Sequence, residues 1–180
     1  MLTINDITPT INDSKNVAYN YQNELTAKLD NLKYDFDQNI INEIVLWKVS
    51  RYALLDTETL KLINQISKDD TELDLKLTNE ILSRLLSNEQ KGVRLAMAST
   101  ILRFKNPKVY QIIDQRVFRI IYGKKMPKYF SSIETQINLY LEYLQKLRNV
   151  CNEKGIKYEL SDRIIYELDK EFNKDEKISY

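Results

Sequence analysis

The stretch that decides the fold runs Lys91-Gly92-Val93-Arg94-Leu95-Ala96-Met97-Ala98-Ser99 and, after Asn106-Pro107, continues as Ile112-Ile113-Asp114-Gln115-Arg116-Val117-Phe118-Arg119-Ile120. A helix from about Asp74 to Ser87, with Leu77, Ile81, Leu82, Leu85 and Leu86 on its apolar stripe, precedes it. Asn88-Glu89-Gln90-Lys91-Gly92 then reads as a turn, and Leu95 to Phe104 as a second short helix whose Ala96, Ala98 and Ser99 permit close approach. The unit is therefore helix, glycine-containing hairpin (88–94), helix, an arrangement used on DNA. Asn106-Pro107 stops the second helix, because the ring restricts the preceding residue and removes a donor. Asp114 then caps a helix over Gln115 to Tyr122 that Gly123 ends.

Charge is unevenly placed along the chain. Residues 91–128 hold ten basic side chains (Lys91, Arg94, Arg103, Lys105, Lys108, Arg116, Arg119, Lys124, Lys125, Lys128) and one carboxylate, Asp114, although the whole chain is only +1. A segment so biased implies a polyanion-binding face. A single acid among these cations, after an apolar run, is where a chemically employed carboxylate is sought.

Outward from this centre the pattern stays helical. Residues 1–16 read as an arm and 17–180 as one helical domain. Asn16 to Asn31 reads as a weak helix with Val17, Tyr21, Leu25 and Leu29 on one stripe. Asp37 caps a second, apolar on most sides (Ile40, Ile41, Ile44, Val45, Trp47), as a central helix would be. Asp56 or Thr57 opens a third through about Ser67, with Leu60, Ile63 and Ile66 inward. Ser131-Ser132-Ile133-Glu134 has capping-box spacing before a long helix to about Glu153. Gly155 closes that helix, and a last one over Ser161 to Asn173 uses Ile164, Ile165, Leu168 and Phe172. The segment 126–180 is expected to pack with the N-terminal helix.

Composition narrows the classes further. With 180 residues, 43% of them hydrophobic, one sizeable core is expected, and three glycines and three prolines are too few for the turns of a sandwich or barrel. The fold class is all-α. One cysteine excludes an internal disulfide and four-cysteine metal sites, and the absence of histidine removes the commonest metal ligand and proton shuttle. Neither cofactor nor metal is expected, so chemistry rests on carboxylates, lysines, tyrosines or hydroxyls. Without an 18-residue apolar run or a basic-then-apolar leader, the chain reads as cytoplasmic and not membrane-bound.

Together, Gly92-Val93, Ala98 and Ile112 to Ile120 resemble the helix-hairpin-helix DNA glycosylase superfamily, which includes endonuclease III and the mismatch adenine glycosylases. That family has a Leu-Pro-Gly-Val-Gly hairpin and an apolar run into an aspartate that begins a helix of the form Asp-x-His-Val-x-Arg-Val. The resemblance covers about residues 37–125, the glycosylase-like core, and is specific over 88–120. It implies a helical fold with a cleft between two lobes, duplex DNA as partner, and Asp114 as the catalytic aspartate. Lys91 replaces the family's proline and Arg94 its second glycine, where an arginine forced to positive φ would be strained. Ala96 stands where some members carry the lysine that forms a Schiff base, so the implied enzyme is monofunctional, with water as nucleophile.

Upstream, Glu43-Ile44-Val45-Leu46-Trp47-Lys48 resembles the helix that supplies a base-protonating glutamate in mismatch adenine glycosylases, which places Glu43 in that role. Asp114 would stabilise positive charge on the sugar, Trp47 would stack on an extruded base, and Lys48, Lys91, Gly92, Arg94, Arg116, Lys124 and Lys125 would hold DNA. About six phosphate contacts would lower affinity by ~10³-fold between 50 and 200 mM salt. Plainer readings stand beside these: Asp114 as an N-cap, Glu43 as a solvated helix-edge carboxylate, Trp47 as core. The alternatives to a glycosylase are a DNA-binding module of the same fold whose chemistry has lapsed, and a helical protein-interaction domain with a basic face.

Overall fold

The computed structural model describes residues 22–33, 35–49, 53–88, 90, 92–176 and 178. Its regular elements are helical: α1 (Asn23–Asp30), α2 (Gln38–Lys48), α3 (Thr57–Asn64), α4 (Leu75–Leu85), α5 (Leu95–Lys105), α6 (Gln115–Tyr122), α7 (Ile133–Lys154), a 3₁₀ turn (Tyr158–Leu160) and α8 (Ser161–Phe172). The fold class is all-α. No helix among the described residues is long and apolar enough to cross a membrane. The chain divides into two compact units, Met1–Tyr52 and Ala53–Tyr180.

Short polar side chains start most of these helices by taking up one of the amide protons the first turn leaves unpaired. Asp37 accepts from Ile40 N (2.8 Å), Asp56 from Thr59 N (2.7 Å), Asp74 from Leu77 N (2.9 Å) and Asp114 from Val117 N (2.8 Å). For α7 the cap is Ser132, which accepts from Thr135 N at 3.1 Å; Ser131 instead pairs its hydroxyl with that of Thr135. The expected box on Ser131 and Glu134 is thus displaced by one residue. At its far end α6 stops at Gly123, whose φ of 65° is the left-handed conformation a glycine adopts without steric cost.

In the first unit, α1 and α2 pack as a pair. Trp47 Nε1 donates to the Thr26 hydroxyl at 2.8 Å and the Trp47 carbonyl accepts from Gln22. Val17 and Tyr21, expected on the α1 stripe, lie outside the described residues. The central position expected of α2 is not what is found: Ile40 is its one buried residue, while Ile41, Val45 and Leu46 are exposed. Two short helices can cover only one stripe of each other.

The second unit builds its core from α4, α5, α6, α7 and α8, with Ile81, Leu82, Leu85, Leu102, Phe118, Tyr140, Tyr143, Leu147 and Ile165 almost fully buried. Ala98 and Ser99 are buried where α5 passes its neighbours, whereas Ala96 is exposed. The connection between α4 and α5 is anchored from outside. Gln90 is buried, accepts from Asp56 N and donates back to the Asp56 carboxylate, which ties the hairpin to the start of α3. Positive φ falls on Gly92 (77°), and Arg94 sits at φ −118° in extended backbone, so the substituted position carries no strain.

Between α5 and α6 the chain makes one turn, with Tyr110 N donating to the Asn106 carbonyl at 3.0 Å, and then crosses the core outside any helix. The tyrosines supply the missing partners: Tyr140 donates to the Gln111 carbonyl (3.0 Å), Tyr143 to that of Ile112 (2.6 Å) and Tyr158 to that of Val109 (3.2 Å). Ser99 on α5 accepts from Ile113 N at 3.2 Å and donates to the Ala96 carbonyl. The Asn106 side chain pins the entry, donating to the Ser67 and Asp70 carbonyls and accepting from Lys108 N. Burial raises the Tyr140 and Tyr143 hydroxyls well above the ordinary phenolic range, which keeps both as donors.

A buried carbonyl deprived of its donor loses about 1–3 kcal/mol. Tyr143→Phe, which keeps the ring and removes the hydroxyl, is expected to lower the melting temperature by on the order of 5 °C in a thermal denaturation scan; an unchanged transition would mean that the Ile112 carbonyl does not depend on it.

Candidate active-site cleft

Asp114 stands where the crossing chain enters α6. Oδ1 is held by Val117 N, and the half-buried Asp114 lines an open cleft of about 420 Å³. Ile112 and Val117 line it from the Asp114 side, and Asp162, Arg163, Tyr166 and Glu167 line it from α8. Burial raises the Asp114 pKa above the ordinary carboxylate value. The amide donors of Val117 and Arg116 and the Arg116 charge act against that rise, and the neighbouring Asp169 adds to it. A carboxyl whose pKa is raised by burial, in a cleft, is a candidate for chemistry.

The α8 residues were not foreseen as site residues. Their one signal in the sequence is spacing: Asp162, Tyr166 and Asp169 recur at four and three residues, on one helix face. That face is the buried one. Asp162, Ile165 and Asp169 point inward, and Ile164 and Phe172, expected there, are exposed, as is Leu60 on α3. A purely apolar stripe misplaces α8 because arginines await its acids. Asp169 is fully buried and receives Arg116 Nη1 at 3.0 Å and both Nε and Nη2 of Arg119, with Asn173 Nδ2 at 2.9 Å. Arg103 and Asp162 are buried together with Nε and Oδ2 3.3 Å apart, yet these two atoms lack hydrogen-bond alignment. Among the described residues no cluster of three or more histidine, cysteine or carboxylate side chains is arranged to hold a metal ion.

The expected site residues fall into two groups. Glu43, Trp47 and Lys48 belong to the first unit, where Glu43 is partly buried, pairs with Lys28 through Oε1 and leaves Oε2 buried without a hydrogen-bond partner. Lys48 is exposed at the end of α2. In the second unit, Asp114 and Arg116 are neighbours, but the Arg116 guanidinium is turned to Asp169 and lies 5.5 Å from the Tyr166 ring. Arg94, Lys124 and Lys125 are exposed; Lys91 lies outside the described residues. Searches among protein-family models, curated proteins and solved structures find no match to this chain.

The α6–α8 clasp gives stability a defined pH dependence. Although burial pushes the Asp169 carboxyl upward, hydrogen bonds from Arg119, Asn173 and Arg116 outweigh it and leave the pKa below the ordinary value. Asp56 is lowered to about 2 by the Thr59 amide and hydroxyl and by Gln90. A group depressed on folding contributes stability above its unfolded pKa, about 3.9 for aspartate, and loses that contribution as pH falls through the folded value. Unfolding by denaturant at pH 7, 4 and 2.5 should therefore show stability falling below about pH 4. Asp169→Asn should be less stable at pH 7 and flatter below pH 4, retaining the share due to Asp56; identical pH profiles would rule out the clasp as a source of acid sensitivity.

Proposed function

We propose that this chain is a DNA-binding protein of the helix-hairpin-helix glycosylase type, a monofunctional enzyme that hydrolyses the N-glycosidic bond of a damaged or modified base. The observation that carries this reading is Asp114: it caps α6, lines an open cleft, and has its pKa raised by burial. These properties match the aspartate of the family that the hairpin and the Ile112–Ile120 run resemble. Extended backbone at Arg94 removes the conformational objection to an arginine there.

In the proposed mechanism the target nucleotide leaves the duplex stack, at a cost of a few kcal/mol, and its sugar comes to Asp114. Positive charge develops on the sugar as the base departs, and a carboxylate held in a partly buried site favours that state over the neutral ground state. Asp114 also orients the attacking water. The leaving base takes its proton from Glu43, a role that rests on the resemblance of residues 43–48, or from solvent. Ala96 offers no amine, so no Schiff base forms and the product is an abasic site.

The test is incubation of the protein with duplexes bearing damaged, mismatched or modified bases, followed by alkali to reveal abasic sites. Asparagine also caps helices, so Asp114→Asn keeps the fold. Removing a buried charge whose pKa is raised should leave its melting temperature at pH 7 equal to or above that of the parent. Its strand breaks should drop to background. Cleavage by the parent should rise with pH through a midpoint above that of an ordinary aspartate. Salt-dependent duplex binding without Asp114-dependent breaks would instead assign a module whose chemistry has lapsed, and binding indifferent to salt would exclude nucleic acid.

A further inference from the structure

At the C-terminal end of α6, two lysines meet one aromatic ring and a third follows in the chain. Tyr122 stacks on Phe118 with ring centroids 4.3 Å apart, and Lys146, one of the central residues of α7, places its Nζ 4.2 Å from the Tyr122 centroid. Lys124 places its own 5.9 Å from the same centroid, and Lys125 follows on the exposed loop. The Tyr122 hydroxyl has no hydrogen-bond partner, so the ring acts on the lysines through its face. A ring face attracts ammonium groups and restricts where they sit.

Glu142 is close enough to act on Tyr122, and no ion pair among the described residues ties Lys124, Lys125 or Lys146 to a carboxylate. Four other cations of the basic segment differ. Arg103, Arg116 and Arg119 are held by Asp162 and Asp169, and Lys108 reaches Asp69.

We propose that Lys124 and Lys146, assembled on the Tyr122 ring, form with the adjacent Lys125 a binding site for the phosphate backbone of duplex DNA, separate from the Asp114 cleft. This rests on the DNA-binding reading above and adds to it a site completed by α7. The spacing supports DNA as the occupant: α6 has eight residues, so the cluster lies about 12 Å along the helix from Asp114. Phosphates of one strand advance about 3.4 Å each along a duplex, so a strand laid along α6 with a nucleotide at Asp114 would bring the phosphates about three or four steps away within reach of the lysines.

The experiment is a salt titration of full-length protein binding to an unmodified fluorescent duplex between 50 and 200 mM, with thermal melts as a check on folding. Each phosphate contact contributes about 0.9 to the slope of log affinity against log salt. Lys146→Gln should reduce that slope by about 0.9, and Lys124→Gln with Lys125→Gln and Lys146→Gln by about 2.7, with melting temperatures close to the parent. Lys61→Gln, on α3, should leave it unchanged. A parent that binds duplex with normal salt dependence while Lys146→Gln matches its slope would overturn this inference and leave the DNA-binding reading standing. Lys146-dependent binding tighter to polyglutamate than to duplex would also overturn it. A parent whose binding ignores salt would remove both.

Discussion

The structure of the second unit depends on satisfying a stretch of non-helical backbone inside a helical core. The carbonyls of Val109, Gln111 and Ile112 and the amide of Ile113 lie outside any helical ladder, and a buried peptide group without a partner costs as much as several favourable contacts contribute. Three tyrosine hydroxyls and the Ser99 hydroxyl close that gap from α7, from the turn before α8 and from α5. Those bonds position Asp114. Its preceding amide neighbour, Ile113, is tied to Ser99, and its own carboxyl is tied to Val117 N, so the residue lining the cleft is located from both sides. Pre-positioning of this kind lets a charged group stabilise a transition state without reorganising.

The charge asymmetry of the sequence acquires a different meaning in three dimensions. Much of the basic segment complements the acidic C-terminal helix: Arg116 and Arg119 close on Asp169, and Arg103 faces Asp162. Partners 50 or more residues away along the chain neutralise cations that a local count treats as exposed. Among the described residues, Arg94 at the start of α5 and Lys124 and Lys125 beyond α6 are exposed. A buried carboxylate shared by two arginines also makes α8 an integral part of the unit, because removing either side strands the other's charge.

What was legible in the sequence was local. Caps at Asp37 and Asp114, helix starts at Asp56 and Asp74 and the stop at Gly123 follow from side chains that bond amides three residues on, or from a backbone angle that glycine adopts readily. Asp114 was legible twice, as a cap and through the resemblance of the run around it. The rest is long-range. Nothing near Tyr140, Tyr143 or Tyr158 announces that each hydroxyl meets a carbonyl 29 to 49 residues away. The inward face of α8 was misread because hydrophobic period alone assigns Ile164 and Phe172 to the core, whereas charge complementarity puts Asp162 and Asp169 there. The apolar α2 was read as central because composition does not record how small its unit is.

Helix α6 reconciles the demands made on it. The partial charges at a helix's ends favour an anion at its N-terminus and cations at its C-terminus. Asp114 occupies the first position, and Lys124, with Lys125, follows the second. The arrangement that would set a carboxylate against a sugar and lysines against phosphates is therefore also the one that the helix itself favours. Opposite signs at opposite ends keep the carboxylates of the cleft, Asp114, Asp162 and Glu167, apart from the group that would grip a polyanion. Were the lysines beside Asp114, they would depress its pKa and neutralise the charge on which stabilisation of a cationic sugar depends. Separation along one rigid helix, with Arg116 drawn off to Asp169, lets burial dominate at Asp114 and keeps its charge available to the cleft.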